Sequence, residues 1–153
     1  MTAAGMLLHG SCVALSETGV LLLAPSGGGK SDLALRLIGR GARLVADDQV
    51  RLSAEGEALR AAPPEALEGR IEVRGLGLLA GLPWAPARLG LVVDLVPPGG
   101  VARLPEPARW EALGLALPRL ALDPRAPSAP DVVLAAVAAL EGRWRCTAGA
   151  LAA

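Results

Sequence analysis

The residues best suited to chemistry lie in LLLAPSGGGKSDLALRLI, Leu21 to Ile38. An apolar run meets three glycines, then a lysine, a serine and an amphipathic segment. Strand, glycine-rich turn and a helix opening with Lys-Ser is the layout of a phosphate-binding loop. Gly27, Gly28 and Gly29 permit positive φ and bare backbone, so consecutive N–H groups can face an anion. A helix starting near Lys30 adds its N-terminal dipole and unpaired N–H groups. Lys30 is a compact charge that can reach β- and γ-phosphates, and the Ser31 hydroxyl suits Mg²⁺. Ala24, Pro25 and Ser26 complete the loop. Ala24 stands where the strict pattern has glycine, and alanine resists positive φ. The alternative is a glycine-rich turn that merely caps a helix. Lys30 speaks against it, because it is the only lysine in the chain and every other one of the fifteen basic residues is arginine. A chain that uses arginine for its solvated charges has reason to keep lysine where a triphosphate binds.

Two carboxylates follow in LVADD. Asp47 and Asp48 end a short strand after the helix, at the carboxyl edge where nucleotide folds place their acidic groups. Magnesium needs oxygen ligands beyond the phosphates. Transfer to a hydroxyl gains from a base within reach. Mutual repulsion can raise one of two adjacent carboxyls toward a base's working range. The alternative is a plain acidic turn. Glu72 in IEVRGLG and His9 in LLHGS carry weaker signals. A Glu beside Arg74 is usually a surface pair, and a lone His on an apolar strand is usually a core residue. Spacing singles out neither.

Composition narrows the classes. A chain of 153 residues fits one domain with a real core. A hydrophobic share of 52% argues against disorder. Tyr and Phe are absent and Trp occurs three times, so the core must come from Leu, Val and Ala. That removes the stacking platforms of a single-strand nucleic-acid binder. Fifteen basic and fifteen acidic residues with no basic block point away from any nucleic-acid partner. Cys12 and Cys146 form neither a metal spacing nor a disulfide framework, which fits free thiols in a reducing cytoplasm. MTAAGMLLHGSCVAL has no basic n-region and is broken by His9, Gly10 and Ser11, so no signal peptide is expected. No run approaches the ~18 apolar residues of a membrane span. The expectation is a cytoplasmic protein without a membrane partner.

The pattern predicts strands over Met6 to Leu15 and Gly19 to Pro25, joined by the turn SETG. The second reads as a strand buried on both faces. Ser31 to Gly39 is helical, with Leu33, Ala34, Leu37 and Ile38 on one face and Gly39 or Gly41 ending it. Arg43 to Ala46 is a short strand. Val50 to Ala62 is a strand pair turning at SAEGE. Arg70 to Leu79 begins as strand alternation and then meets two glycines. Gly90 to Val96 and Arg119 to Asp123 are further strands. Ala129 to Arg143 is a helix opened by Pro130 and Asp131 and closed by Gly142. The small, alanine-rich residues from Trp144 should fray, which divides the chain into a domain over 1–143 and a flexible tail over 144–153. The fold class is α/β: one strand-rich mixed sheet with a phosphate-loop helix and a C-terminal helix.

HG on the first strand, APSGGGKSDLALRLIGRGARLVADDQV and IEVRGLG together resemble the catalytic domain of bacterial HPr kinase/phosphorylase, over about Met6 to Leu140. LVADD at this distance after GKS, followed by E-x-RGLG, is the specific part. The resemblance implies a phosphoenolpyruvate-carboxykinase-like P-loop kinase fold and a homohexamer. It implies ATP and Mg²⁺ as cofactors and phosphorylation of a serine on HPr, a phosphocarrier of the sugar phosphotransferase system. Many members also remove that phosphate with inorganic phosphate, releasing pyrophosphate. By resemblance, Lys30 would contact the phosphates and Ser31 would bind Mg²⁺. Asp48 would take the serine proton in the kinase direction and return it in reverse, supported by Asp47. Glu72 would help hold the metal, and His9 would sit beside the catalytic carboxylate. ARLPEP matches the family's D-R-L-G region and makes Arg103 a further catalytic residue. The chain resembles the short form that lacks a separate N-terminal domain. The family's late loop, P-V-K-x-G-R-N, corresponds to DPRAPSAPD, where Arg125 stands for the first basic residue and Gly-Arg-Asn is missing. Two other readings use the same loop: a P-loop kinase for another acceptor, and a nucleotide-sensing module with little turnover.

Overall fold

A computed structural model of the chain describes residues 5–25 and 27–152. Ser26, assigned above to the phosphate loop, lies outside the described residues. In order, the elements are β1 (Gly5–His9), β2 (Ser11–Leu15), β3 (Thr18–Leu23), α1 (Lys30–Ile38), β4 (Arg43–Ala46), β5 (Gln49–Glu55), β6 (Ala58–Ala62), β7 (Ile71–Val73), β8 (Gly77–Leu79), β9 (Ala87–Leu95), β10 (Ala108–Ala112), β11 (Leu115–Leu122) and α2 (Ala129–Leu140). The main sheet runs β1-β5-β6-β9-β3-β2-β4, and β11 then β10 extend it from β9. β7 and β8 form a separate hairpin. The architecture is the mixed, strand-rich α/β fold with a phosphate-loop helix and a C-terminal helix.

Strands β2, β3 and β9 are buried on both faces, as their nearly continuous apolar runs require. One face meets the helices: Val13, Val20, Leu22, Leu91 and Val93 pack with Leu33 and Leu37 of α1 and Val133 and Val137 of α2. The other face meets β5 and β6: Cys12, Ala14, Leu21 and Val92 pack with Val50, Leu52 and Leu59. β9 serves both halves through an inserted residue. Gly19 pairs with Leu89, but Val20 pairs with Leu91. The insertion switches the side-chain parity, so Leu89 faces the second core while Leu91 faces the first. Gly90 is the inserted residue, and a Cβ there would lie 2.7 Å from Thr18 Cγ2.

Three elements depart from the sequence expectation. Met6 to Leu15 is not one strand. It breaks at Gly10, where β1 pairs with β5 while β2 pairs with β3 and β4. A Cβ at Gly10 would come within 3.1 Å of the Leu22 carbonyl oxygen, so glycine eases the crossing there. Arg70 to Leu79 folds back on itself as β7 and β8. β10 was not expected, and it pairs with β11 through a turn whose Leu113 and Gly114 have φ of 51° and 79°. Such a turn favours Asn-Gly or Asp-Gly, and Leu-Gly gives no such signal. In the segment expected to fray, Leu151 packs against the helix-side core. Among the described residues no helix is long and apolar enough to cross a membrane.

Candidate active site

The phosphate loop leaves the end of β3 and enters α1. Gly27 and Gly29 adopt φ of 78° and 92°, the backbone freedom that glycine supplies. Gly28 donates its N–H to the Pro25 carbonyl at 2.9 Å, and a Cβ on Gly28 would lie 2.5 Å from Ala24 Cβ. Ala24 itself is not among the positive-φ residues. The alanine in place of glycine is therefore accommodated, and its methyl occupies the space that Gly28 leaves. Helix α1 begins on Gly29 with no side-chain cap, so its first N–H groups lack intrahelical partners.

Lys30 is 6% exposed. Its Nζ donates to the carbonyls of Ala24 at 3.1 Å and Pro25 at 3.4 Å. Burial holds its pKa below the ordinary lysine value, and the fields of Asp47 and Asp48 oppose that shift. A partly desolvated ammonium is a strong partner for an anion.

The carboxylate pair joins β4 to β5, where the chain passes from one half of the sheet to the other. Asp47 is 5% exposed. It accepts hydrogen bonds from Ser11 Oγ at 2.6 Å, from Ser31 Oγ at 2.7 and 2.9 Å, and from the Glu72 N–H at 3.1 Å. Asp48 adopts φ of 70°, a conformation aspartate tolerates better than most residues. Its carbonyl accepts the Gly10 N–H at 3.1 Å. That bond ties together the two places where the chain crosses between the halves. His9, at the end of β1, brings Nδ1 to 3.6 Å from Asp48 Oδ1, with side chains 47% and 65% exposed. His9 is therefore no core residue, and the two groups face solvent together.

Ala24, Pro25, Gly27, Gly28, Gly29, Lys30, Ser31, Asp47, Asp48 and His9 thus gather at the ends of β1, β3 and β4. Glu72 reaches them by its backbone N–H, while its residue is exposed. Among the described residues no three His, Cys, Asp or Glu side chains converge as a metal cluster. Arg103 lies exposed on the connection between β9 and β10, and no hydrogen bond or ion pair among the described residues ties it to His9, Asp47 or Asp48. Sequence reasoning missed Ser11. It is fully buried, and a serine directly after His-Gly was its only signal.

Phosphate loop, buried lysine and an acidic pair at strand ends define a P-loop kinase-type fold. The chain belongs to the HPr serine kinase C-terminal domain family, whose profile matches residues 1–81. It is similar to an HPr kinase/phosphorylase of Geobacillus thermodenitrificans, 38% identical over 150 residues, covering 90% of this chain and 48% of that protein. An HPr kinase/phosphorylase of a Thermoanaerobacter species is 51% identical over 73 residues, 47% of this chain and 24% of that one. The chain thus spans about half the length, or less, of the curated relatives it matches. The solved structure of the Hpr(Ser) kinase/phosphatase from Coxiella burnetii shares the fold, with a TM-score of 0.76 at 23% identity, covering 90% of this chain and 97% of that one.

Proposed function

We propose that this domain is an ATP- and Mg²⁺-dependent protein serine kinase acting on an HPr-type phosphocarrier, in the cytoplasm and as a homohexamer. The observation that carries the reading is the pairing of exposed Asp48 with His9, one residue from the buried Asp47–Ser31 contact beside the phosphate loop. The relatives' names supply the acceptor.

The loop N–H groups and Lys30 hold the triphosphate. Ser31 and Asp47 present hydroxyl and carboxylate oxygens 2.7 Å apart, a donor set suited to a hard cation. A protein that offers few ligands suits Mg²⁺, which keeps waters and phosphate oxygens in its shell. Bound there, Mg²⁺ would shield the β- and γ-phosphate charge. Glu72 would add an oxygen from the β7–β8 hairpin. Asp48 accepts the serine proton as its oxygen attacks in line, and His9 orients and stabilises that carboxylate. On the family resemblance alone, Arg103 would neutralise charge on the transferring group. In the opposite direction inorganic phosphate would attack the phosphoserine phosphorus, forming pyrophosphate while Asp48 returns the proton to the leaving serine oxygen. Catalysis is then mainly positioning and electrostatics.

The test mixes purified protein, Mg²⁺-ATP and the HPr-type carrier of the same organism. Intact mass should report one added phosphate, lost with Lys30→Ala and Asp48→Asn. Tight ATP binding without transfer would overturn the HPr reading and leave a kinase for another acceptor or a nucleotide-binding module.

A further inference from the structure

Helix α1 also grips the segment that precedes α2. Arg36 donates from Nη1 to the Pro124 carbonyl at 2.6 Å. From Nη2 it donates to the carbonyls of Ala126 at 3.0 Å and Pro127 at 3.4 Å. Asp32, one turn earlier, lies 3.9 Å from Nη1. Arg40, one turn later, pairs with Asp131 in the first turn of α2. The gripped segment also touches the phosphate loop: a Cβ on Gly29 would lie 3.3 Å from both Cβ and Cγ of Pro124. Asp123 closes the segment on itself, its Oδ1 accepting the Arg125 N–H at 2.9 Å and its carbonyl the Ala126 N–H at 3.2 Å. Residues 123–127 are thus pinned between Gly29 and Arg36.

Arg125 lies within this pinned turn. It is exposed, and its guanidinium has no hydrogen-bond or ion-pair partner among the described residues. Its Cα is one step, about 3.8 Å, from the proline that rests on Gly29. A planar guanidinium reaches these carbonyls from two separate nitrogens held in a fixed fork, whereas the three donors of a lysine all sit on one nitrogen. Satisfying charge on the helix surface would not require such a reach across 88 to 91 residues of chain.

We propose that Arg36 is a positioning residue for the phosphate site: it fixes the 123–127 turn against Gly29 and so presents the Arg125 guanidinium to the bound phosphates. This rests on the reading of the loop as a nucleotide site. Arg125 supplies the charge-assisted hydrogen bond, and Arg36 supplies its aim.

Titration calorimetry with Mg²⁺-ATP and with inorganic triphosphate tests it. Arg125→Ala should weaken both ligands about tenfold or more, the worth of one charge-assisted hydrogen bond. Arg36→Ala should weaken them comparably. The double variant should be no worse than either single one, because both act through one contact. Arg36→Lys should recover little. Arg40→Ala, which loosens α2 but not the turn, should lower Tm and leave both affinities intact. Wild-type affinity in Arg36→Ala, or losses that multiply in the double variant, would overturn the inference. If Lys30→Ala abolishes binding while Arg36→Ala does not alter it, only this inference fails. If the wild type binds neither ligand, the nucleotide-site reading falls and this one with it.

Discussion

Asp47 receives two hydroxyls and a backbone N–H in a nearly dry site, whereas Asp48, the next residue, faces solvent beside His9. Substitution of Asp48 should therefore touch chemistry alone, whereas substitution of Asp47 should cost stability as well. In Asp47→Asn the amide offers one acceptor oxygen to donors that now meet a carboxylate. With that oxygen kept on Ser11 and Ser31, the amide NH2 faces the Glu72 N–H, which loses its acceptor at a cost of about 1–3 kcal/mol. Asp48→Asn keeps a residue tolerant of positive φ on an exposed site, so stability should change by less than about 0.5 kcal/mol. Transfer to the carrier should fall by about a hundred- to ten-thousandfold, the usual worth of a general base. Urea unfolding read beside the transfer rate checks both. A large stability loss in Asp48→Asn would contradict this division of labour.

Among the elements, β3 matters most to the site because it delivers the phosphate loop, and its start is anchored to the end of α2. Thr18 Oγ1 donates to Glu141 Oε2 at 2.7 Å, the Glu17 N–H donates to the same oxygen at 3.2 Å, and Arg143 pairs with the other oxygen. These contacts, the Thr18 hydrogen bond first, hold the Glu141 carboxyl below its ordinary pKa. A carboxyl depressed in the folded state stabilises above the unfolded value, and the benefit is lost as pH falls through the folded value. Glu141→Gln should cost about 0.5–1 kcal/mol at pH 7, since the site is near the surface. The gap to wild type should close below about pH 4. Thermal unfolding at several pH values measures it, and a pH-independent gap would mean that shape rather than charge carries the anchor.

At the scale of the whole molecule, two cores share the central strands, so the two halves of the sheet should open together. Cys12 reports on this. It is fully buried between β2 and the β5–β6 half, and burial pushes its thiol far above the ordinary range. Cys146 is half-buried near the chain's end. Under native conditions a maleimide should label Cys146 first, and Cys12 should label only at the rate of global unfolding. Labelling of Cys12 at denaturant concentrations that leave the fold intact would show that the two halves separate on their own.

The phosphate loop, α1, the strand Arg43–Ala46 and the acidic pair after it were legible because their causes are local: glycine torsions, helix periodicity and strand alternation act within a few residues. The family resemblance named His9, and the fold seats it beside Asp48. Other features were decided by partners far along the chain. Ser11 reaches Asp47 across 36 residues, Glu72 meets it by backbone across 25, and Arg36 holds Pro124 across 88. The break at Gly10 goes with the close approach of the Leu22 carbonyl, a partner that the strand-like pattern of Met6 to Leu15 does not reveal. Residue types chose the chemistry available to this chain. Which side chain meets which carboxylate was set by the crossing of the chain between two sheet halves, because those contacts exist only once both cores are packed.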